Sequence, residues 1–296
     1  MRIVSLLPAA TEMVCALGLE DALVGRSHEC DTPATITDRP VVSRAEIDDH
    51  PTSAEIDAAV RTFAQEGRPL YHLDEKLIRS LRPDLVVTQE LCDVCAITPA
   101  QVDAALRGIS PAPAVLRLGP GTLDDVFNDV IRLGQATDRL AHAHIHHDTL
   151  ARRLDDLTVS GAATARPGVL FLEWLDPAFG AGHWNPELIE RAGGRSVLEM
   201  QPNQHSQVIP DATLAAVVPD LIFVAACGFD TARARHEWKA LPSEHPVRAM
   251  HRRTGARLVF ADGNAHFNRP GPRLIDSLAV LRSAVASCTH EKGSAT

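Results

Sequence analysis

Large aromatic side chains are scarce in this chain: tryptophan, tyrosine and phenylalanine together make up 4% of its 296 residues. The core must then rest on aliphatic side chains and close helix-to-sheet contacts, which favours an α/β architecture over an all-β sandwich. Positive charge is also short, with 29 Lys and Arg against 38 Asp and Glu and a net charge of −9. Without a basic run to neutralise phosphates, nucleic acid and anionic membrane surfaces are excluded as partners. No stretch approaches the roughly 18 uninterrupted apolar residues of a membrane span, so no membrane insertion is expected. The six cysteines are too few for a disulfide scaffold in a chain of this length. A Walker loop, a GxGxxG fingerprint, a nucleophile elbow and usefully spaced paired carboxylates are all missing. The reading therefore leans away from an enzyme.

The opening "MRIVSLLPAATEMVCALGL" has one Arg, and Pro8 and Glu12 interrupt any apolar core of a signal peptide. It reads as the first strand and helix of the fold. With no visible export signal the cytoplasm is the expected location, or the periplasm or extracellular space if a leader has been removed.

Short aliphatic runs alternate with helical patterns, the signature of βα units with parallel strands. "RIVSLL", "ALVGRS", "RPDLVVTQ" and "AVLRL" read as strands of a first lobe, residues 1–120, with helices at "ATEMVCALGL", "SAEIDAAVRTFAQEG", "DEKLIRSL" and "TPAQVDAALRG". Residues 121–160 carry apolar positions at helical spacing, from Val126 to Leu157, with Gly134 the one point where a split is foreseen. They predict a long rigid helix joining the lobes. The βα pattern resumes over 161–296 in "GVLFLEW", "NPELIERAGG", "DATLAAVVPDLIFVAA", "ARLVFADGN" and a last helix "RPGPRLIDSLAVLRSAVA". "SLRPDLVVTQELC" and "AVVPDLIFVAACG" echo one another, so the lobes are expected to be alike. The fold class is α/β, with two doubly wound, Rossmann-like lobes. In such sheets ligands sit beyond the carboxyl ends of the strands, and "SHECD", "QELCDVC", "EWLDPAFGAGHW", "ACGFD" and "DGNAHFNRPGP" would all face a cleft between lobes.

Those loops hold the unusual side chains. Cys92 and Cys95, three apart, follow the "DLVVTQ" strand, and Cys30 follows the second strand with His28 and Glu29 beside it. Three thiolates plus an imidazole or carboxylate can hold zinc or an iron–sulfur cluster. The same thiols could equally be small apolar fillers or run redox chemistry. Trp174, Phe179, His183 and Trp184 surround "GAG" in one loop, an arrangement suited to stacking on a large flat ligand. Trp184 also precedes Asn185 and Pro186, a plausible cap and first helical residue, and so could instead be a hydrophobic staple. His205, His266 and Arg269 lie on cleft loops, where they would meet ligand carboxylates or amides or cap turns. His142 and His146 share a helix face, but no HExxH arrangement accompanies them, and a solvated surface is the simpler reading.

Taken in order, "RIVSLLPAATEMVCALG", "LVGRSHECDTP", "IRSLRPDLVV", "GAGHWNPELIERAGG" and "RPGPRLIDSLAVL" resemble the class III periplasmic binding proteins, the vitamin B12, ferric siderophore and haem receptors of ABC importers. The "SLLPAATE" and "GHWNPELIERAGG" forms are most similar to the cobalamin-binding branch. "SHECD" and "QELCDVCA" resemble a leaderless branch. The resemblance implies a small-molecule metal chelate, a corrinoid such as cobalamin, bound between lobes with an ABC permease as partner. Pro8 of "SLLPAATE" joins the ligand-contacting positions, and Cys30, Cys92 or Cys95 would lie near the metal. The reading from another class is a cytoplasmic metalloenzyme or metal-binding protein built on the three cysteines.

Overall fold

A computed structural model describes residues 1–47, 52–90, 97–160 and 166–293. By internal contacts the chain divides into two units, the first made of 1–51, 55–120 and 124–150, the second of 52–54, 121–123 and 151–296.

In the first unit, β1 (Ile3–Ser5), α1 (Pro8–Ala16), β2 (Leu23–Arg26), β3 (Ser43–Ala45), α2 (Ser53–Gln65, its first two residues counted with the second unit), β4 (Tyr71–Leu73), α3 (Glu75–Leu81), β5 (Leu85–Gln89), α4 (Pro99–Leu106) and β6 (Ala114–Leu118) follow in order. The main sheet runs β2-β1-β5-β6, and every pairing in it is parallel. Strand β5 is central because Leu85, Val86 and Val87 are buried on both faces, as a continuous aliphatic run requires. The strand order reverses between β1 and β5, which puts the ligand-side crevice of such a sheet beyond Ser5 and Gln89. Strands β3 and β4 form a separate antiparallel ribbon that the sequence pattern does not signal; three residues apiece are too few to show alternation.

The helical stretch over 121–160, for which a split at Gly134 is foreseen, is two helices, α5 (Leu123–Ala136) and α6 (Leu140–Leu157). Asp138 takes a left-handed φ of 57°, and the Arg139 amide closes onto the Gly134 carbonyl at 2.7 Å. Gly134 is the point of close approach: a β-carbon there would stand 2.3 Å from the Ala143 β-carbon. The glycine thus serves helix-to-helix packing, and the rigid rod is replaced by a helical corner. Gly134→Ala is expected to cost about 1–3 kcal/mol by overpacking. Urea denaturation of the single variant and of the pair with Ala143→Gly checks this, the second change recovering part of the loss.

The second unit contains β7 (Gly168–Leu175), β8 (Ala178–Gly180), α7 (Asn185–Arg191), β9 (Arg195–Ser196), α8 (Asp211–Ala216), β10 (Leu221–Val224), α9 (Thr231–Ala240), α10 (Pro246–Thr254), β11 (Arg257–Phe260) and α11 (Leu274–Gly293). Its sheet runs β11-β10-β7-β8, with β9 also on β7; only the β7–β8 hairpin is antiparallel. The echo between "PDLVV" and "PDLIFV" is structural, since β5 and β10 are each an interior parallel strand of their unit. Phe171, Phe223 and Phe267 meet with ring centres 5.2–5.5 Å apart and concentrate much of the scarce aromatic area in one core.

Candidate functional site

In the first unit the expected residues gather at the carboxyl ends of β1 and β2. Pro8 opens α1 directly after β1 and is half-buried. Cys30 is wholly buried in a hydroxyl nest: Thr11 Oγ1 lies 3.0 Å and Ser27 Oγ 3.2 Å from its Sγ, and Thr11 Oγ1 is 2.8 Å from Ser5 Oγ. His28 shares Ser43 Oγ with its own amide, through Nδ1 at 2.7 Å and N at 3.1 Å, while its ring tilts against Tyr71 and its Nε2 stands 3.9 Å from Glu29. These contacts tie the "SHECD" loop to β3 and β4. Cys92 and Cys95 lie outside the described residues. Among the described residues no group of three or more His, Cys, Asp or Glu side chains is placed to hold a metal ion. A depression of about 610 Å³ beside β3 and α3 is lined by Arg44, His72, Glu75, Lys76 and Arg79; its charged, open walls do not suit a flat apolar ligand.

The second unit carries the richer constellation. Trp174, near the end of β7, donates its indole N–H to the carbonyls of Asp176 and Ser53, each at 3.1 Å, and its ring lies 5.0 Å from that of Phe229. It stays half-buried and keeps part of its surface free. Ser53 belongs to the short 52–54 segment of this unit, and its amide donates to Glu237 Oε2 at 2.8 Å. Phe179 pairs with Trp174 in register across the hairpin.

Past β8 the chain turns through His183, whose φ of 53° is left-handed. Trp184, not Asn185, is the cap of α7. Trp184 is only 4% exposed, and its indole N–H donates to the Phe267 carbonyl at 2.7 Å. The stacking surface at this point is therefore supplied by His183, which lies on Trp184 with 29° between the planes. His205, exposed, meets His183 edge-on with ring centres 5.0 Å apart. Burial, with the neighbouring His205 as a smaller cause, holds the His183 pKa below the ordinary imidazole value.

One residue that organises this site escapes sequence reasoning. Glu173, 8% exposed, is preceded by the apolar run of β7. Its Oε1 accepts from the Gly182 amide at 2.8 Å and from Asn185 Nδ2 at 2.6 Å, and its Oε2 accepts from Ser206 Oγ. Desolvation outweighs these three donors and raises its pKa above the usual carboxylate value. The signal available in the sequence is a single acidic side chain in a strand otherwise fit for burial.

His266 and Arg269 sit on the loop after β11. His266 Nδ1 is buried without a partner among the described residues, and Arg269, 8% exposed, donates to Asn264 Oδ1 at 3.1 Å. Phe267 between them is fully buried at a φ of 59°. The loop is pressed onto the end of β10: a β-carbon on Gly263 would stand 2.1 Å from the Ala226 carbonyl oxygen, and Asn268 Nδ2 donates to the Ala225 and Gly263 carbonyls. The structure thus joins His183, Trp184 and His205 directly, links Trp184 to the His266 loop, and places Trp174 and Phe179 on the adjoining hairpin.

A family model described as periplasmic binding protein matches residues 3–243. No curated protein matches the chain. Among solved structures it is similar to a periplasmic haem-binding protein from Pseudomonas aeruginosa, with a TM-score of 0.68 and 21% identity over 96% of this chain and 92% of the other. The vitamin B12 binding protein BtuF of Vibrio cholerae gives a TM-score of 0.65 and 20% identity over 97% of both chains. An ABC transporter substrate-binding protein from Listeria monocytogenes gives 0.69 and 18%, over 96% of this chain and 98% of that one. At these identities the likeness is one of fold. Among the described residues no helix is long and apolar enough to cross a membrane.

Proposed function

This chain belongs to the periplasmic binding protein family, and from that premise we propose that it is the binding component for a planar metal chelate, a corrinoid such as cobalamin first among them, serving an ABC permease. The observation that carries the reading is the group of rings in the second unit, His183 stacked on Trp184 and met edge-on by His205. Half-buried Trp174 on the adjoining hairpin adds indole surface. Ring faces and imidazole nitrogens are what a large conjugated chelate offers contacts to. Solved relatives named for haem and for vitamin B12 support the ligand class. The "SLLPAATE" and "GHWNPELIERAGG" motifs favour the corrinoid within it. Relatives named as periplasmic favour the periplasm over the cytoplasm as the place of action.

Titration with cobalamin, haem and a ferric hydroxamate, followed by visible spectra and calorimetry, tests the reading. One equivalent of cobalamin is expected to bind, and Trp174→Ala to weaken it at least about tenfold, or about 1.4 kcal/mol. Absence of both heat and spectral change with all three chelates overturns it.

A further inference from the structure

The loops that carry His183 and His205 are fastened by two direct hydrogen bonds and by a bridge through Glu173. The His183 amide donates to the Gln204 carbonyl at 2.6 Å, and the Asn203 amide returns a bond to the His183 carbonyl at 3.1 Å. Glu173 then takes the Gly182 amide from one loop and Ser206 Oγ from the other. Contact is so close that a β-carbon on Gly182 would stand 2.4 Å from the Ser206 nitrogen. These bonds fix the backbone that carries both imidazoles, so that part of the conformational entropy of bringing the two rings together is already spent in the fold.

We propose that His183 and His205 form a two-imidazole site for a divalent first-row transition metal, with its remaining coordination positions open. Two imidazoles bound side by side to one ion, at metal–nitrogen distances of about 2.0–2.1 Å, place each ring centre about 3.2 Å from the metal. For bond angles from octahedral to tetrahedral the centres are then about 4.5–5.2 Å apart. The observed separation of 5.0 Å, with the planes at 86°, falls within that range. No ring nitrogen of the pair has a hydrogen-bond partner among the described residues. Trp184 behind His183 prevents that ring from swinging away.

Imidazole suits zinc, copper, nickel and iron, and a pair of them without a third protein ligand leaves room for water or an exogenous donor. The site is therefore a capturing position, in contrast to a closed structural one. Glu173 acts as its positioning residue through both loops. The inference does not rest on chelate binding, because it concerns a free ion held by this unit's own side chains.

Nickel is the probe of choice, since the six cysteines compete for it less than for zinc. Calorimetry of the full chain with Ni²⁺ is expected to show one equivalent bound, and paramagnetic broadening in amide spectra is expected to centre on 182–184 and 204–206. His205→Ala, at an exposed position that folding does not need, is expected to abolish the transition. Ser206→Ala is expected to weaken it about tenfold by loosening one loop, and Glu173→Gln to retain it, because Gln can still accept from Gly182 and Asn185 while donating to Ser206. No saturable binding, or binding unchanged in His205→Ala, overturns the proposal. Parallel titrations of the parent keep the two readings apart: saturable nickel binding with no cobalamin bound removes only the chelate reading, and cobalamin bound with no saturable nickel binding removes only this site.

Discussion

Glu173→Ala is expected to destabilise the protein by about 3–5 kcal/mol, the largest loss foreseen for a single polar side chain. The change leaves the Gly182 amide, Asn185 Nδ2 and Ser206 Oγ without their acceptor. Each buried unsatisfied donor costs about 1–3 kcal/mol, and the lost side-chain volume adds a cavity. Glu173→Gln separates charge from hydrogen bonding, since Gln has an acceptor for Gly182 and Asn185 and a donor for Ser206. Its cost at neutral pH should stay within about 1 kcal/mol. The pH dependence has a definite sign. The folded pKa of Glu173 lies above its ordinary value of 4.5, so the folded state binds the proton more tightly than the unfolded one. Its contribution is full below that value and declines as pH rises towards the folded pKa. Urea midpoints of parent and Glu173→Gln between pH 4 and 8 are the measurement, and the Gln variant should gain on the parent as pH increases. A flat difference would show that the carboxyl is not held protonated by burial.

Trp184→Ala should cost a similar amount, about 3–5 kcal/mol, for a different reason. Here a large buried ring is removed, and with it the N–H that holds the Phe267 carbonyl. Phe267 is a bulky residue at positive φ, a conformation that persists only where neighbours enforce it. Its amide is held separately, by Ser277 Oγ at 3.2 Å. Trp184→Phe keeps most of the packing and loses one hydrogen bond, for about 1–2 kcal/mol. Chemical denaturation of the two variants distinguishes a core tryptophan from a ligand-facing one. A cost below about 1 kcal/mol for the alanine variant would assign the indole to the surface instead.

The interior strands were readable from sequence because burial on both faces writes itself as unbroken aliphatic runs, as in Leu85 to Val87 and Leu221 to Val224. Strands β8 and β9 were not, being two or three residues long and set by what they pair with. Helices α9 and α10 carry so many Arg and His residues that their few buried apolar positions, Ala234, Trp238, Val247 and Met250, leave only a faint stripe. The split foreseen at Gly134 falls slightly later, because Gly134 lies inside α5, three residues ahead of the break. At the site, aromatic and histidine content drew attention to the correct loops. Which ring lies underneath and which outside depends on Glu173, Asn185 and Ser206, and their pairing across 33 residues has no local signature.

The three-residue segment around Ser53 also sets a schedule for synthesis. Its amide and carbonyl meet Glu237 and Trp174, partners 184 and 121 positions later in the chain. At about 5–20 residues per second, a ribosome needs about 10–40 s to deliver Glu237 after Ser53. Throughout that interval the segment stands without its partners, and a fragment beginning at residue 151 would leave Glu237 and Trp174 without these two bonds.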